Sequence, residues 1–490
     1  VEYDEDETKG VCPDNRLMRS IITNDSSGED ILLDETFGYD NLGRLETTTV
    51  KASDSSENTN TLYTKTNVYR VTSNKTGDFI QDQTYVIPNS QYGEITRTTR
   101  TIYDSLGNVA SHTMMTNDNY PYETLVFDGG SSVSTKPENI QYTYDENGKV
   151  VRENNMKADY STFKYEYDTE GNITKKSVYK FTALATPPTL KEEFIYTYDT
   201  QGRLTGYGNK VIGNYDSNGN PRLYKGSTLI WNGSRLTEMA GCVFTYDGKG
   251  YRTSKYVSTT NNTHKYTYDE EGNLLAEKIT DANNDSTVIN YIYGAQGVVG
   301  FKLIKTYYGE KEEHSFYYIK DILGNIRQIV DKDGSLVVSY YYDAWGNIYP
   351  QYHSYVLTFA GETLTAEDVS NLNGLFYKGY YYDKENKLYY LITRYYDPEV
   401  GRFISPDDPQ YLDFKTAYGY NRYAYCNNNP VMGYDPEGTW ALTSLLIGIA
   451  IGALIGAATS VLTQAAENDW DFSKVNPWVV FIDGAFGAIE

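Results

Sequence analysis

Cysteine and histidine are scarce in this 490-residue sequence, which contains 3 and 4 of them respectively. The cysteines are odd in number, far apart and without a CxxC spacing, and the histidines form neither an HxxxH nor an HxH pattern. A disulfide framework and a zinc-type cluster both need such spacings. We therefore expect no metal and no cofactor. The residues concerned are Cys12, Cys242, Cys426, His112, His264, His314 and His353.

Basic charge is also in deficit, because 43 lysines and arginines stand against 66 aspartates and glutamates, a formal net charge of −23 at pH 7. Proteins that bind nucleic acid neutralise phosphates with basic patches, so we predict no nucleic-acid partner for this stretch. The acidic balance fits a well-solvated exterior or, alternatively, a cavity suited to a basic guest. Motifs such as GxSxG and HExxH are absent, which disfavours an ordinary hydrolase acting on external substrates.

Helical periodicity of useful length is missing before about residue 365. There the run TAEDVSNLNGLF predicts one short helix, with Thr365 as its N-cap and Asp368 three residues on. The chain starts at Val1 without an initiator methionine or a signal peptide, so we expect a piece of a longer protein. Tyrosine, in contrast, is abundant, with 51 copies against 16 phenylalanines and 5 tryptophans. Tyrosine favours strands and combines an apolar ring with a polar hydroxyl.

The motif Tyr-Asp-x-x-Gly recurs along the chain from residue 37 onwards. It is typical of a hairpin in which aspartate accepts a hydrogen bond from the backbone two residues on. The glycine fits the left-handed position of a type I turn with a G1 bulge. Asn386 replaces the glycine in one copy, where asparagine tolerates positive φ, and Gly401 comes one residue late in another. Clear copies have Asp145 and Gly148, Asp168 and Gly171, Asp199 and Gly202, Asp269 and Gly272, and Asp343 and Gly346.

The residues on either side of each turn alternate as strand residues do. A Tyr-x-Tyr pair precedes the turn, as at Tyr165 and Tyr167, and an aliphatic residue such as Ile173 resumes the strand after it. Successive copies are often separated by the length of two strands and a turn. We predict an all-β fold in which residues 37–393 form a long strip of antiparallel hairpins. Residues 1–36 are then a lead-in or an earlier part of the strip.

Residues 394–439 break the repeat pattern with RYYDPEVGRFISPDD, a bridge rich in tyrosine and asparagine, and NNNPVMGYDPEG. With the repeats before it, this stretch resembles the core region of the Rhs/YD-repeat family, to which toxin-complex C subunits and teneurins are similar. The resemblance is carried by Arg394, Asp397, Pro398, Gly401, Arg402, Phe403, Ser405, Asp407, Asn421, Tyr423, Tyr425, Asn429, Pro430, Asp435, Pro436 and Gly438.

The resemblance implies that the strip of hairpins spirals into a hollow shell, which the core region closes at one end. A spiral is physically reasonable, because it pairs each open edge of the sheet with the next turn and strand twist supplies the curvature. In the family, the shell holds a variable C-terminal polypeptide that is often a toxin. The alternative is a flat or solenoidal adhesin stalk built from the same hairpins.

The resemblance also implies a self-cleaving aspartyl site. Two carboxylates beside one peptide bond can hydrolyse it when one is ionised and activates water while the other holds a proton. The family pattern has an arginine 13 residues before the first aspartate, as Arg394 is before Asp407, and its second aspartate is that of DPxG, here Asp435. Asp408 is a rival for the role of Asp407. The interval between the two aspartates is longer than usual, which an insertion around residues 412–416 would explain.

Cleavage is expected between Thr439 and Trp440, where the family usually has leucine instead of the threonine. Any enzymatic activity would be at most a single intramolecular turnover. The alternative interpretation is structural. In it, the two Asp-Pro dipeptides form turns and the arginine pairs with a carboxylate without catalysing anything.

Residues 440–466 carry no charge and have Gly448, Gly452 and Gly456 at four-residue spacing. As a helix, this segment would be roughly 40 Å long, enough for a bilayer, and its glycine spacing suits close helix packing. Three interpretations stay open: an apolar helix held against the inner shell wall, a membrane-entry segment, or a linker. Residues 467–490 are expected to begin the variable region, with the effector domain itself outside this sequence.

These patterns divide the chain into residues 1–36, 37–393, 394–439 and 440–490. We expect a secreted or cell-surface container that encloses its own C-terminal effector polypeptide and releases it by cleaving itself. The alternative function is a cell-surface or cell-wall carbohydrate-binding adhesin that uses exposed tyrosine and tryptophan. The expected partners are the effector, a membrane through residues 440–466 and, for the adhesin, carbohydrate.

Overall fold

Strands dominate the part of the chain that the structure describes. The structure is a computed structural model, and it describes residues 138–181, 189–295, 297–307, 310–408, 421–439 and 442–443. Before residue 138 it describes residues 2–3, 17–23, 31–39, 45–53, 59–71, 79–90, 93–104, 108–116, 124–126 and 132–134.

The strands follow one another with one α-helix among them. The first are β1 (Glu2–Tyr3), β2 (Leu17–Thr23), β3 (Ile31–Tyr39), β4 (Leu45–Ser53), β5 (Thr59–Val71), β6 (Phe79–Ser90), β7 (Gly93–Tyr103), β8 (Val109–Thr116), β9 (Thr124–Val126), β10 (Ser132–Ser134), β11 (Glu138–Tyr144), β12 (Val150–Asn155), β13 (Ser161–Tyr167), β14 (Ile173–Lys180), β15 (Leu190–Tyr198), β16 (Leu204–Tyr207), β17 (Lys210–Gly213), β18 (Leu223–Tyr224) and β19 (Ser227–Asn232). They continue with β20 (Arg235–Met239), β21 (Cys242–Tyr246), β22 (Arg252–Val257), β23 (Asn262–Tyr268), β24 (Leu274–Thr280), β25 (Ser286–Gly294), β26 (Gly297–Tyr307), β27 (Glu310–Lys320), β28 (Ile326–Asp331), β29 (Leu336–Tyr342) and β30 (Ile348–Tyr352). The last are β31 (Val356–Phe359), β32 (Glu362–Thr365), the helix α1 (Ala366–Leu372), β33 (Tyr381–Asp383), β34 (Leu388–Leu391), β35 (Arg394–Asp397), β36 (Arg402–Phe403), β37 (Gly433–Tyr434) and β38 (Leu442–Thr443), with 3-10 turns at Tyr377–Gly379 and Cys426–Asn428.

One sheet of 28 strands contains β1–β8 and β11–β30. Each of its strands pairs antiparallel with the next along the chain, and β8 pairs with β11. The predicted all-β fold and its meander of hairpins are therefore confirmed. This sheet includes strands before residue 37 and ends at β30. Smaller sheets follow, a hairpin of β31 and β32 and a four-stranded sheet of β33–β36 that spans residue 394.

The hairpin turns have the predicted geometry. At Asp145 the backbone N–H donates to the carbonyl of Lys149 at 2.9 Å, and the N–H of Gly148 donates to the carbonyl of Asp145 at 3.0 Å. The Asp145 carboxylate accepts from the N–H of Asn147 at 3.0 Å and from that of Lys149 at 2.9 Å. Glycine is needed because φ is +77° at Gly148. The same positive φ occurs at Gly171, Gly202, Gly272 and Gly346.

Several turns also have a side-chain contact beyond those that their motif predicts. In these turns the residue after the glycine donates to the second oxygen of the aspartate, as Asn347 does to Asp343 at 2.7 Å and Arg203 to Asp199 at 2.6 Å. Asparagine and arginine suit this position because their side chains reach the carboxylate. In the sequence, the recurring Gly-Asn, Gly-Arg and Gly-Lys pairs were the signal for this side-chain contact.

The prediction for Asn386 is wrong in its detail. The left-handed residue of that turn is Lys387, with φ +60°. The N–H of Lys387 donates to the carbonyl of Asp383 at 2.8 Å, and Gly401 makes the same contact with Asp397 at 2.8 Å. These turns are one residue longer than the others, so the left-handed position moves one residue along the chain.

Tyrosine hydroxyls link several hairpins to the one before. In these, the tyrosine directly before the turn aspartate donates to the carbonyl of the aliphatic residue that follows the previous turn. Tyr198 thus reaches Ile173 at 2.7 Å and Tyr167 reaches Val150 at 2.6 Å. Since a buried hydroxyl needs a partner, this repeated bond explains why tyrosine rather than phenylalanine fills the position. The same bond joins Tyr144 to Val109, Tyr215 to Leu204, Tyr246 to Leu236 and Tyr342 to Ile326.

The long sheet curves until strands far apart in sequence face each other. The hydroxyl of Tyr85 in β6 donates to the carbonyl of Lys320 in β27 at 2.6 Å. A buried cluster joins β3–β6 to β25–β29 through Leu33, Val50, Leu62, Tyr63, Tyr85, Ile87, Ile292, Val299, Tyr317, Ile319, Val330 and Leu336. Twist and curvature of this kind are expected of a long antiparallel sheet.

We call residues 375–408 and 421–439 the inner segment, because they pack against the buried face of the sheet. Their side chains share one large apolar cluster with strands from β7 to β29. Aromatic rings dominate this interface, as expected for residues that bury large areas with defined geometry. Before the inner segment, the predicted helix is present as α1, and Thr365 and Asp368 form its capping box.

The predicted apolar helix at residues 440–466 lies outside the described residues, apart from Leu442–Thr443. Those two residues form β38, which pairs antiparallel with Gly433–Tyr434 of β37. They are therefore extended and not helical. Within the described part of the chain, no helix has the length and apolarity needed to cross a membrane.

Candidate active site

The three predicted catalytic residues reach one place from three parts of the inner segment. Arg394 begins β35, and Asp407 follows β36 by a few residues. Asp435 comes directly after β37. The backbone N–H of Asp435 donates to the hydroxyl of Tyr380 at 2.8 Å, which fixes the start of the DPEG turn.

The Arg394 guanidinium lies between the two carboxylates. Its Nη2 is 2.9 Å from Asp407 Oδ2 and 3.6 Å from Asp435 Oδ2. The group is nearly inaccessible to solvent and stacks on the ring of Phe403, with Cζ 3.6 Å from the ring centroid. A planar guanidinium suits this position because it can serve both carboxylates and an aromatic face at once.

Asp408, the rival residue, is exposed, and its backbone N–H donates to Asp407 Oδ1 at 2.8 Å. Asp407, by contrast, is paired with the buried arginine. The geometry therefore favours Asp407 as the partner of Asp435. The insertion expected around residues 412–416 lies outside the described residues.

One peptide bond, between Gly438 and Thr439, is held from both sides. The N–H of Thr439 donates to Asp435 Oδ1 at 3.0 Å. The carbonyl oxygen of Gly438 accepts from Arg394 Nε at 2.5 Å and from the Thr393 hydroxyl at 2.8 Å. The predicted cut, at the next peptide bond, involves Trp440, which lies outside the described residues.

Burial shifts the pKa of both partners of this ion pair. It raises the pKa of Asp407 to about 6, against the opposing effect of Arg394. The nearby Asp435 raises the pKa further, since like charges disfavour ionisation. Burial lowers the pKa of the Arg394 guanidinium, which the two aspartates oppose. A carboxyl with a pKa near neutrality is suited to proton transfer.

Lys378, which belongs to none of the predicted motifs, hydrogen-bonds to the backbone just before the DPEG turn. Lys378 is buried, and its amine donates to the carbonyl of Pro430 at 2.7 Å and to that of Gly433. The hydroxyl of Tyr377 also reaches the Pro430 carbonyl, at 2.9 Å. Burial lowers the pKa of Lys378 to about 8. Its single positive charge inside the aromatic run FYKGYYYD was the only signal for this lysine in the sequence.

The remaining core-motif residues attach the inner segment to the sheet. Asp397 is buried and accepts from the hydroxyl of Tyr224 at 2.9 Å, with Lys225 at 2.8 Å. The carbonyl of Pro398 accepts from Asn347 at 2.8 Å. Arg402 lies 5.0 Å from the ring centroids of both Tyr198 and Tyr423. The other motif residues are Gly401, which has positive φ and faces Trp345, Asn429, which reaches Asn108, and Pro436, which is half-buried beside Asp435.

Within the described residues, no three histidine, cysteine, aspartate or glutamate side chains are grouped to hold a metal ion. The two described cysteines, Cys242 and Cys426, are buried and unlinked. Burial raises the pKa of each thiol to about 12, so both carry their proton at neutral pH.

No protein-family model matches the chain. In sequence it is 32% identical over 320 residues to the tRNA3(Ser)-specific nuclease WapA of Bacillus spizizenii, covering 63% of this chain and 12% of that protein. It is 24% identical over 373 residues to Teneurin-4 of Homo sapiens, covering 68% of this chain and 13% of that protein. The chain thus spans about an eighth of the length of the curated relatives it matches.

The fold is similar to one in the crystal structure of TcdB2-TccC3-Cdc42. The TM-score is 0.53 at 18% sequence identity, and the match covers 84% of this chain and 21% of that chain. At this level of identity, the likeness shows a shared fold. It extends over the repeat strip and not over an isolated hairpin, since it covers most of this chain.

Proposed function

The chain belongs to the Rhs/YD-repeat family, and on that premise we propose that it is a container that encloses its own C-terminal polypeptide and releases it by cleaving itself between Thr439 and Trp440. The enclosed polypeptide would be a toxin-type effector, since the bacterial relative is named as a tRNA nuclease. A container of this kind is secreted or carried at the cell surface.

The observation that carries the proposal is the convergence of one buried arginine and two aspartates beside Thr439, the residue before the predicted cut. Asp435 contacts the nitrogen side of the Gly438–Thr439 peptide, and Arg394 contacts its carbonyl oxygen. Asp407 shares the guanidinium with Asp435. Simple turn formation at DPEG needs neither the second aspartate nor the buried arginine.

The two carboxyls divide the work. Asp407, whose pKa of about 6 leaves it ionised at neutral pH, is the general base that takes a proton from water. Asp435 is then the general acid that protonates the leaving amine, and Arg394 stabilises the negative charge that develops beside it. Asp407 and Asp435 share the Arg394 cation, and their like charges repel each other. One carboxyl can therefore hold a proton while the other is ionised.

The packing of the inner segment supports the container. Its residues lie on the buried face of the curved sheet and bond to several repeat turns. Asn428 donates to the carbonyl of Gly171 at 2.7 Å, and the hydroxyl of Tyr423 donates to the carbonyl of Gly219 at 2.9 Å. A segment fixed in this way is anchored to the sheet at more than one repeat turn.

For the part of residues 440–466 that follows the extended Leu442–Thr443, we propose an apolar helix held against the inner wall. Their lack of charge and their small residues fit close packing on an aromatic surface. The first alternative is a segment that enters a membrane after release. The second is a linker with no function of its own.

The test is the intact mass of the purified 490-residue chain. Self-cleavage gives two pieces that meet beside Thr439 and elute together in size exclusion, because the released piece stays inside. Asp435→Asn and Asp407→Asn should each leave the chain whole, since either change removes one half of the acid–base pair.

Asp408→Asn is the matched control, because it removes a neighbouring carboxylate that is exposed. It should cleave as the unmodified chain does. If the two catalytic variants still split at the same place, a contaminating protease is responsible and the proposal fails. A chain that never splits under native conditions contradicts the release step.

The alternative adhesin would need aromatic side chains at the surface. Among the described residues, only Tyr256 and Tyr352 are large aromatic side chains with clear exposure, at 38% and 43%. Trp345 is buried. This burial favours the container, and retention on polysaccharide that soluble sugar competes away would favour the adhesin.

A further inference from the structure

Arg422 and Asp407 bond to each other in both directions. Asp407 lies at the end of the part of the inner segment that closes at residue 408, and Arg422 lies at the start of the part that opens at residue 421. The backbone N–H of Asp407 donates to the carbonyl of Arg422 at 2.8 Å. The Arg422 guanidinium donates to the carbonyl of Asp407 through Nε at 2.8 Å and through Nη2. This reciprocal contact fixes the backbone of the base.

The carbonyl of Arg422 also binds the buried arginine of the site. Arg394 Nη1 donates to that oxygen at 3.0 Å, while Arg394 Nη2 lies 2.9 Å from Asp407 Oδ2. One carbonyl oxygen therefore accepts from the N–H of the base and from the cation that pairs with the base. A shift of residue 422 would move both groups, and a displacement of about 1 Å at a reacting group is enough to slow a reaction severely.

The neighbours of Arg422 attach it to the sheet. The side-chain amide of Asn421 donates to Asn172 Oδ1 at 2.9 Å, and the hydroxyl of Tyr423 donates to the carbonyl of Gly219 at 2.9 Å. Both acceptors belong to repeat turns. The sheet thus holds residue 422 on either side, and residue 422 holds the base. Arg422 itself is not among the residues that carry the family resemblance.

The side chain of Arg422 contributes charge as well as hydrogen bonds. Its guanidinium donates to a neutral carbonyl oxygen, so its positive charge remains to act on the carboxyl group of the same residue. Burial raises the pKa of Asp407 most, Arg394 and Arg422 lower it, and Asp435 raises it. The N–H of Asp408, which donates to Asp407 Oδ1, lowers it too. Within the described residues, these are the groups that set the charge of the base.

We propose that Arg422 is a positioning residue of the self-cleaving site, which holds the Asp407 base beside Arg394 and supplies a second positive charge near its carboxyl group. This inference rests on the proposed self-cleavage and adds to it a residue that sets the pH range in which the site works. Arg422 acts through Asp407, and breaking the bond is left to the two carboxyls and Arg394.

The variant Arg422→Gln separates the charge from the hydrogen bond, because glutamine keeps an amide donor for the Asp407 carbonyl and is neutral. Each chain is isolated unfolded in urea and refolded at pH values from about 4.5 to 8.5, with cleavage followed by intact mass. The midpoint of the rate profile should move upward from about pH 6 by about one pH unit. The rate at the upper end of the range, where the base is ionised in both chains, should be nearly unchanged.

Two further variants at this position complete the series. Arg422→Lys keeps the positive charge and one donor, so it should keep the original midpoint. Arg422→Met removes both charge and donor, so it should move the midpoint as glutamine does and also slow cleavage about tenfold at the upper end of the range. Arg235→Met is the matched control, because the Arg235 guanidinium likewise donates to a backbone carbonyl, that of Gly250, in a repeat hairpin. It should keep the original rate and midpoint.

The pH midpoint distinguishes a positioning role from a purely structural one. An unmoved midpoint in Arg422→Gln overturns this inference whatever happens to the rate, because a structural contact would not alter the ionisation of the base. An upward shift in Arg422→Lys also overturns it, since the charge is retained there. Either result leaves the proposed function intact. Absence of cleavage in the unmodified chain overturns the proposed function itself.

Discussion

Burial determines the chemistry that Asp407 can perform. An exposed aspartate is ionised throughout the physiological range, but Asp407 is partly removed from water and lies close to a second carboxylate. Its pKa therefore rises to about 6 although Arg394 is 2.9 Å away. The arginine limits this rise and does not reverse it. A base with such a pKa changes its charge just below neutral pH.

We predict that self-cleavage slows on acidification through about pH 6. Above that pH, Asp407 is ionised and can accept a proton from water, whereas below it the carboxyl is protonated and cannot. The rate should fall about tenfold for each pH unit below the pKa. The measurement is the rate of cleavage after refolding from urea at pH values from about 4.5 to 8.

Asp408→Asn should give the same pH midpoint, because that side chain is exposed. A rate that instead rises on acidification would mean that Asp407 is the acid and Asp435 the base. The arrangement of the site would stand, but the division of roles proposed above would be reversed.

The hairpin is the repeated structural unit of the sheet, and two kinds of contact stabilise it. Its aspartate and glycine close the turn within five residues, and its tyrosine hydroxyl bonds to the preceding hairpin. Tyr246 and Leu236 show the second contact at 2.7 Å. Neither contact depends on strand length, which explains how strands as short as β18 and as long as β5 belong to one sheet.

The turn glycine provides a clean test of this unit. Gly202 has φ +70°, and an added Cβ there would have no heavy atom within 4 Å, so Gly202→Ala changes the backbone preference without a clash. We predict a loss of about 1–2 kcal/mol in stability, the cost of left-handed backbone for alanine. The measurement is the urea midpoint of unfolding.

Gly213→Ala is the matched control. Gly213 ends strand β17, also with no atom within 4 Å of an added Cβ, and its φ is outside the left-handed range. It should leave the midpoint unchanged or raise it slightly, because alanine restricts the unfolded chain. Equal effects at both positions would contradict the assigned role of the turn glycine.

At the scale of the whole molecule, stability depends on the contact between the sheet and the inner segment. Its centre is Arg252 of β22, fully buried, which pairs with Asp383 of β33 at 2.5 Å. Lys255 pairs with the same carboxylate at 3.0 Å. Rings from both sides surround the guanidinium carbon within 6.0 Å, an arrangement favourable to cations. They are Tyr390, Tyr266, Tyr381, Phe244 and Tyr395.

We predict that Asp383→Asn destabilises the protein by about 3–5 kcal/mol, because it leaves Arg252 buried without a countercharge, whereas Lys255 keeps Glu385 at 2.9 Å. Adding Arg252→Met to this variant should recover part of the loss, since the uncompensated charge is removed. The urea midpoint measures stability, and faster proteolysis within residues 375–408 reports release of the inner segment.

The control is Lys175→Met, which removes the partner of Glu166 in an exposed ion pair of 2.5 Å. Water replaces such a pair, so the midpoint should not change. If Asp383→Asn behaves like this control, the buried cluster does not hold the inner segment to the sheet.

The sequence by itself determined the repeating hairpins and the candidate residues of the site. Each turn depends on five consecutive residues, so local chemistry suffices to predict it, and the all-β meander follows from repeating it. The same is true of Thr365 and Asp368 at the start of α1. The sequence was also sufficient to predict Arg394, Asp407 and Asp435 as site residues, because the motif that contains them is defined by residue types and spacings along the chain.

Only the tertiary structure decided which distant residues meet. Arg252 and Asp383 are 131 positions apart, and no local pattern links them, because their pairing depends on how far the sheet curves. The donors on Gly438 are likewise 44 and 45 positions away. Arg422 could not be recognised from sequence, since an arginine between two motif residues has no distinguishing chemistry until the fold brings the Asp407 carbonyl to its guanidinium.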